Sequence, residues 1–211
     1  MKRVYRFPGI ALAACALLLA ACAAPPPVAA PGDAVERQYL QRLARLESVS
    51  DWTVEGKLAI RDAADGGSGN LRWAQAPAGT RMDFHGALGR GAWSLEAGAG
   101  AAVLRLADGA EYRAATVDRL VREHVGWRVP VAELSWWIRG LAAPGGAASR
   151  TVGEGGVLLS LEQADWRIEF ERYRDFGAER MPGLVVARQG ERQVKFAIRG
   201  WTLGGGDPGD G

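Results

Sequence analysis

Apolar and polar residues alternate over the segment from Trp52 to Arg61. A period of two places successive side chains on opposite faces of a β-strand, so this segment predicts a strand with one buried and one solvated face. The same alternation recurs further along the chain at these apolar positions: Leu71/Trp73, Met82/Phe84, Trp93/Leu95, Leu104/Leu106, Trp166/Ile168/Phe170 and Val194/Phe196/Ile198. Residues 157–161 and 184–189 predict two further strands.

Three segments have the three-to-four-residue spacing of an amphipathic helix. The first opens at Asp33, whose carboxylate can cap a helix. The second and third cover residues 117–125 and 130–141, and the third begins at a proline, a residue favoured in the first helical turn. We expect residues 142–156 to form a Gly/Ala-rich loop and residues 204–211 to form a disordered tail.

Many strands, few helices and no long parallel crossover predict a mainly β fold over residues 34–203. Glycine-rich stretches at residues 66–69 and 86–91 predict turns between strands. We expect an antiparallel sheet that curls on itself, with the helices covering one opening.

The first 21 residues have the composition of a secretory signal peptide. Lys2, Arg3 and Arg6 precede an uncharged apolar run over residues 9–21. This run is too short to span a bilayer, and three prolines follow it closely. We therefore expect residues 1–21 to be removed.

The tetrapeptide Leu19-Ala20-Ala21-Cys22 resembles the lipobox of bacterial lipoproteins, whose cysteine carries S-diacylglycerol and N-acyl groups after cleavage. We expect these covalent groups on Cys22 and no other cofactor. Several acyl chains on one residue hold a protein durably to a membrane. Two alternatives are an ordinary signal peptide with an incidental cysteine, and cleavage before Cys15, which would leave a very short apolar run.

Residues 22–33 are rich in alanine and proline, a composition that favours a semi-extended tether. Ala23 follows the predicted acylated cysteine, and the absence of aspartate at this position resembles the outer-membrane delivery signal of Gram-negative lipoproteins. We therefore expect a protein anchored in the outer membrane and facing the periplasm.

The charge balance gives no sign of a nucleic-acid partner. Removing residues 1–21 takes three of the 26 basic residues and none of the 24 acidic ones, which leaves a formal charge of −1. No block of Lys/Arg forms an electrostatic footprint for DNA or RNA. Only Cys22 would survive processing, and its acylation would leave no thiol for a disulfide.

Motifs for covalent or metal chemistry are absent from the sequence. His85 and His124 are not framed by other ligand residues at metal-site spacing, so we expect no metal site. Ser68 lacks the second glycine of a nucleophile elbow. Glu169 and Glu171 share the polar face of one strand with Arg167, which favours a solvated face over a pair of catalytic carboxylates.

Eight tryptophans are the unusual feature of the composition. Large aromatic side chains can fill a solid core, or they can line a cavity for acyl chains inside a curled sheet, and the sequence leaves both interpretations open. Leu88 lies between glycines in the turn Gly86-Ala87-Leu88-Gly89 and is expected to project into solvent. A single exposed leucine is also ordinary in soluble proteins.

Several short motifs, in their order along nearly the whole mature domain, resemble the LolB family of outer-membrane lipoprotein receptors. They are Gly56-Lys57-Leu58-Ala59-Ile60, Gly69 to Trp73 with Gln75, Gly86-Ala87-Leu88-Gly89, Leu134-x-x-Trp137-Ile138-Arg139-Gly140, Gln163-x-x-Trp166 with Phe170 and Tyr173, and Ile198 to Trp201. Ala87 departs from the family, which often has proline there, so the rigidity of the loop is in question.

The resemblance implies an incomplete antiparallel β-barrel with a helical lid over a hydrophobic cavity. It implies that the protein receives acylated lipoproteins from a LolA-like periplasmic carrier and inserts them into the inner leaflet of the outer membrane, and we expect it to act as a monomer. Leu88 matches the family's membrane-insertion loop. The inward-facing candidates for the lipid cavity are Leu58, Trp73, Phe84, Trp93, Trp137, Ile138, Trp166 and Phe196.

Two other classes of protein are compatible with the residues. One is a lipoprotein scaffold of the cell envelope, whose tryptophans fill a solid core and whose surface recruits another protein or peptidoglycan. The other is a periplasmic hydrolase acting on lipid or sugar, which the missing nucleophile and metal motifs disfavour.

Overall fold

The computed structural model describes residues 31–62, 66–86 and 91–204. Its helices are α1 (Pro31–Glu47), α2 (Val117–Leu120) and α3 (Val131–Trp137), with a π-helical turn (Val121–Val125) directly after α2 and a 3-10 turn (Glu154–Gly156). The strands are β1 (Trp52–Arg61), β2 (Gly66–Ala76), β3 (Gly79–Gly86), β4 (Trp93–Ala97), β5 (Ala102–Leu106), β6 (Glu111–Ala114), β7 (Ala148–Val152), β8 (Leu158–Gln163), β9 (Trp166–Glu171), β10 (Arg174–Phe176), β11 (Glu179–Met181), β12 (Leu184–Gln189) and β13 (Arg192–Leu203).

Eleven strands form one antiparallel sheet in the order β6-β5-β4-β3-β2-β1-β13-β12-β9-β8-β7. Most neighbours in the sheet are also neighbours in sequence, and β1 joins the two halves by pairing with both β2 and β13. The two edge strands of this sheet, β6 and β7, do not pair with each other. The sheet is therefore open, as the expected mainly β, incompletely closed fold requires.

One face of the sheet is apolar because alternate residues of its strands point inward. Along β1 the inward-facing residues Trp52, Val54, Leu58 and Ile60 are buried. Gly56, on the same face, lies at a register shift where a Cβ atom would approach the carbonyl oxygen of Ala197 to 2.3 Å. Glycine is needed here because this strand comes too close to its neighbour for any side chain.

The covering helices have the positions expected from their spacing, with different lengths. Residues 117–125 divide into α2 and a π-helical turn, and Gly126 ends the turn with φ of 82°. The third predicted helix is shorter than residues 130–141, because α3 ends at Trp137. Both segments turn apolar side chains toward the inner face of the sheet.

The prediction of a turn at residues 66–69 is wrong. These residues belong to β2 and pair with β1, from Gly66 opposite Arg61 to Gly69 opposite Leu58. At Gly69 a Cβ atom would lie 2.3 Å from the carbonyl oxygen of His85 and 2.7 Å from the Phe84 ring. Glycine is needed here because the two strands lie too close together for a side chain, and not because the chain turns.

The prediction of an unbroken loop at residues 142–156 is also wrong, because this segment contains β7 and the 3-10 turn. The middle residues of β7, which are Ser149, Arg150 and Thr151, are all exposed, so this edge strand shows no alternation. The short strands β6, β10 and β11 were not predicted either, and they too carry few buried residues.

The first helix begins two residues before the predicted cap, at Pro31, and Asp33 lies in its first turn. An acidic residue there still favours the helix through the positive end of its dipole. The last residues assigned to the tether, 31–33, are thus helical, while 1–30 and 205–211 lie outside the described residues.

Candidate functional site

An apolar pocket lies between the inner face of the sheet and the covering helices. Sheet residues form one wall: Leu58, Ile60, Leu71, Trp73, Met82, Trp93, Val194 and Phe196. The other wall comes from residues between the start of the π-helical turn and the residue directly after α3: Val121, Trp127, Val129, Val131, Leu134 and Ile138. Every lining side chain is that of an apolar or aromatic residue, so the pocket offers burial to hydrocarbon and little to a polar ligand.

Five of the eight predicted cavity residues line this one pocket. They are Leu58, Trp73, Trp93, Ile138 and Phe196. The other three are buried nearby and do not line it: Phe84, Trp137 and Trp166.

Phe84 packs against two of the tryptophans that line the pocket. Its ring stacks on Trp93 with a centroid distance of 5.4 Å and meets the edge of Trp127 at 5.1 Å. Because Trp93 and Trp127 belong to opposite walls of the pocket, this aromatic cluster fixes their separation at one end.

Trp137 and Trp166 form a second aromatic contact, with ring centroids 6.1 Å apart. Trp137 is completely buried and its indole Nε1 donates to Oε1 of buried Gln163 at 3.0 Å. The same Gln163 amide exchanges two hydrogen bonds with the backbone of Ala143, at 2.8 and 2.7 Å. These tryptophans therefore fix α3 and the following loop to the sheet and belong to the core.

The pocket is nearly closed in this conformation. Its free volume is about 40 Å³, whereas a site that encloses a drug-sized ligand has roughly 300 to 1,000 Å³. Binding of an acyl chain therefore requires one wall to move. The segment from Val121 to Val131, which we call the movable wall, is the candidate, because it is short, contributes no strand to the sheet, and supplies four of the lining residues.

A buried carboxylate holds this segment to the sheet. Asp62 follows β1, and only 3% of its side chain is exposed. It accepts hydrogen bonds from Nε and Nη2 of Arg128 at 3.0 and 2.9 Å and from the Arg128 backbone N–H at 3.3 Å. Nε of Arg192, on β13, lies 3.5 Å away. Because Arg128 lies between the lining residues Trp127 and Val129, this ion pair holds the movable wall against the sheet.

Asp62→Asn is expected to speed the uptake of an apolar fluorescent probe about tenfold. Hydrogen bonds to charged groups contribute roughly 1.5–3 kcal/mol each. Weakening two of them should lower the barrier to opening by about 1.4 kcal/mol, which raises the opening rate about tenfold. Stopped-flow fluorescence measures the rate. Glu191→Gln is the matched control, because Glu191 is exposed on the neighbouring turn. An uptake rate for Asp62→Asn equal to that of Glu191→Gln would contradict this role.

The remaining predicted residues do not add a chemical site. Cys22 and Leu88 lie outside the described residues. His124 stacks on Tyr112 with ring centroids 3.7 Å apart. Over the described ranges no three His, Cys, Asp or Glu side chains are grouped to bind a metal ion. No described helix combines the length and apolarity needed to cross a membrane.

Asp62 and the wall residues Trp127 and Val129 were missed by sequence reasoning. A single aspartate after a strand is usually solvated, and nothing in the sequence pairs it with an arginine 66 positions away. Trp127 and Val129 do alternate with Arg128, and this short alternation was the available signal.

Comparisons with known proteins agree with this architecture. The family model described as outer membrane lipoprotein LolB matches residues 50–201. An outer-membrane lipoprotein LolB from Pseudomonas savastanoi pv. phaseolicola is 35% identical over 164 residues, which cover 78% of this chain and 80% of the relative. A protein of the same name from Pseudomonas aeruginosa is 35% identical over 165 residues, with 78% and 79% coverage.

Two solved structures share the fold at low sequence identity. An outer membrane lipoprotein-sorting protein domain from Vibrio parahaemolyticus has a TM-score of 0.52 and 10% identity, covering 84% of this chain and 95% of that one. A LolA superfamily protein from Nitrosomonas europaea has a TM-score of 0.51 and 5% identity, covering 78% and 93%. The open sheet with covering helices thus defines a protein with the LolA-superfamily fold. Within that class, the sequence matches show that the chain belongs to the outer membrane lipoprotein LolB family.

Proposed function

We propose that this protein is an outer-membrane lipoprotein that receives acylated lipoproteins from a LolA-like periplasmic carrier and inserts them into the inner leaflet of the outer membrane. The observation that carries the proposal is the apolar pocket between the sheet and the movable wall. Membership of the LolB family supports the assignment to lipoprotein localization. Acyl groups on Cys22 would hold the receptor at the membrane, facing the periplasm.

Transfer by this mechanism needs no covalent step. Burial of hydrocarbon contributes about 25 cal/mol per Å² removed from water, so acyl chains move toward whichever cavity covers them better. The pocket walls supply large apolar surfaces from Trp73, Trp93 and Trp127 once the movable wall opens. A tether between the pocket and the membrane would keep the released chains at high effective concentration near the leaflet.

The test is transfer of a radiolabelled acylated lipoprotein from purified carrier to this protein lacking Cys22. Stoichiometric transfer is the expected result. No transfer to a receptor that circular dichroism shows to be folded would overturn the proposal and leave a scaffold without a lipid cavity as the better description.

Leu88→Glu is expected to leave folding and acceptance of cargo unchanged and to reduce insertion into vesicles at least tenfold. The proposed reason is that the leucine side chain offers the acyl chains an apolar contact with the leaflet, which a glutamate side chain cannot provide. Ala87→Glu, one residue earlier, is the matched control. Insertion by Leu88→Glu at the wild-type rate would exclude this role for Leu88.

A further inference from the structure

Two buried arginines join α1 to α3, and neither belongs to the pocket. Arg42, on α1, is 2% exposed, and Arg139, just after α3, is 5% exposed. Neither has a carboxylate at ion-pairing distance among the described residues. Burial lowers the pKa of both guanidinium groups, that of Arg139 to about 10. A buried charge is costly unless hydrogen-bond partners compensate it, so the groups around these two arginines must supply that compensation.

The partners are backbone carbonyl groups, one near the C-terminal end of each helix and one on β11. Nη1 of Arg139 donates to the carbonyl oxygen of Leu46, in the last turn of α1, at 3.0 Å. Nη2 of Arg42 in turn donates to the carbonyl oxygen of Arg139, at 3.4 Å, and to that of Arg180, at 2.7 Å. The last carbonyls of a helix lack partners within it and form the negative end of its dipole. Each arginine thus binds the backbone near the end of the other helix.

Aromatic rings hold Arg139 in place. Its guanidinium lies 4.6 Å from the centroid of Trp136 and 5.6 Å from that of Trp52, and its Nε donates to the carbonyl oxygen of Ser135 at 3.0 Å. Arg42 is held less completely, since its Nε and Nη1 find no hydrogen-bond acceptor among the described residues. A contact that leaves buried donors unsatisfied is easier to break than a fully satisfied one.

Residues of α3 and Ile138, which follows it, form part of the pocket wall. Val131, Leu134 and Ile138 line it, and Ile138 directly precedes Arg139. The segment from Val131 to Arg139 therefore contacts both the pocket and α1. Because α3 begins at Val131, where the movable wall ends, we expect opening of the wall to act through α3 on the contact from Arg139 to Leu46, and a displacement of α1 to act on the wall through the same contact.

We propose that Arg139 is a positioning residue that couples the docking of α1 to occupancy of the apolar pocket, an inference that rests on the proposed function. The chain preceding α1 leads toward Cys22, so α1 is the element through which the predicted membrane anchor joins the domain. Pocket occupancy and the docking of the anchored helix then influence each other reciprocally, as linkage requires.

The test measures amide hydrogen exchange of α1 in the full mature chain, reconstituted in nanodiscs of phosphatidylethanolamine and phosphatidylglycerol. Hexadecanoic acid is the probe, and empty nanodiscs give the blank. We expect saturation with the probe to change the exchange rates of residues 36–47 about fivefold or more, the lower range of coupling between sites. Arg139→Met should abolish this response while the probe still binds.

Arg45→Met is the matched control. Arg45 lies on α1 and pairs with Glu179 at 2.8 Å on the surface, so its loss weakens the docking of α1 without touching α3. This variant should keep the response to the probe. If Arg139→Met does not fold, Arg139→Lys retains the charge but loses the second hydrogen bond, and it should reduce the response.

The outcomes separate this inference from the proposed function. Saturable binding with no change in α1 exchange in the wild type, or an equal change in Arg139→Met, overturns the coupling alone. Absence of saturable binding overturns both the proposed function and the coupling.

Discussion

Trp137→Ala should lower the free energy of unfolding by about 4 kcal/mol, the middle of the usual range for a large aromatic truncated in a core. Trp137 is completely buried, packs against Trp166 and donates a hydrogen bond to Gln163. Its removal leaves a cavity and takes one hydrogen-bond donor from the side-chain amide of Gln163, which also bonds to the backbone of Ala143. Since whole domains are stable by only 5–15 kcal/mol, a large share of the stability should be lost.

Urea unfolding followed by far-ultraviolet circular dichroism measures this loss. Trp136→Ala is the matched control, because Trp136 is the preceding residue on the same helix and is only partly buried. We expect it to cost about 1 kcal/mol, mainly through the contact with Arg139. Equal losses for the two variants would show that Trp137 does not anchor α3 to the sheet.

The strands that face the core could be predicted from the sequence, because burial on one face enforces a period of two. The segment from Trp52 to Arg61 is the example: its predicted inward residues are buried and its register with β2 and β13 is regular apart from the shift at Gly56. The edge strand β7 could not be predicted, since Arg150 and its neighbours are exposed whichever face they take. An edge strand is defined by its hydrogen bonds to one neighbour, and a single sequence does not show them.

The pocket could be predicted in part, for a similar reason. Alternation indicated that Leu58, Trp73 and Phe196 point inward, but whether an inward side chain borders free space or fills the core depends on what packs opposite it. Trp166 does not line this pocket, because its ring packs against that of Trp137, which is hydrogen-bonded to Gln163. The open alternative between core and cavity therefore resolves into both uses for different tryptophans.

The long-range polar contacts could not be predicted at all. Asp62 and Arg128 are ordinary surface residue types, and so are Arg42 and Arg139. Their roles arise only when the fold buries Asp62 beside Arg128, and buries Arg42 and Arg139 beside helix ends. Buried charges of this kind are costly unless they are compensated, so they identify contacts whose geometry matters for more than packing.

Val194→Phe should lower the affinity for hexadecanoic acid between about ten- and 200-fold, the range produced by changes of one or a few carbon atoms in an apolar site. Val194 is buried on β13 and lines the pocket on the sheet side, so opening of the movable wall does not carry the new ring away. The ring would take up the free volume of about 40 Å³, so the cost to folding should stay within the roughly 1–3 kcal/mol of an overpacked core. Fluorescence titration with a competing apolar probe measures the affinity.

Val103→Phe is the matched control, since Val103 lies opposite Glu96 and Arg113 on the other face of the sheet and is only partly buried. It should bind hexadecanoic acid as the wild type does. Because both variants add the same ring to a strand, any difference between them reports on the pocket and not on the sheet. If Val194→Phe folds and binds within twofold of Val103→Phe, the acyl chains bind elsewhere, and neither the movable wall nor its Asp62 ion pair controls their uptake.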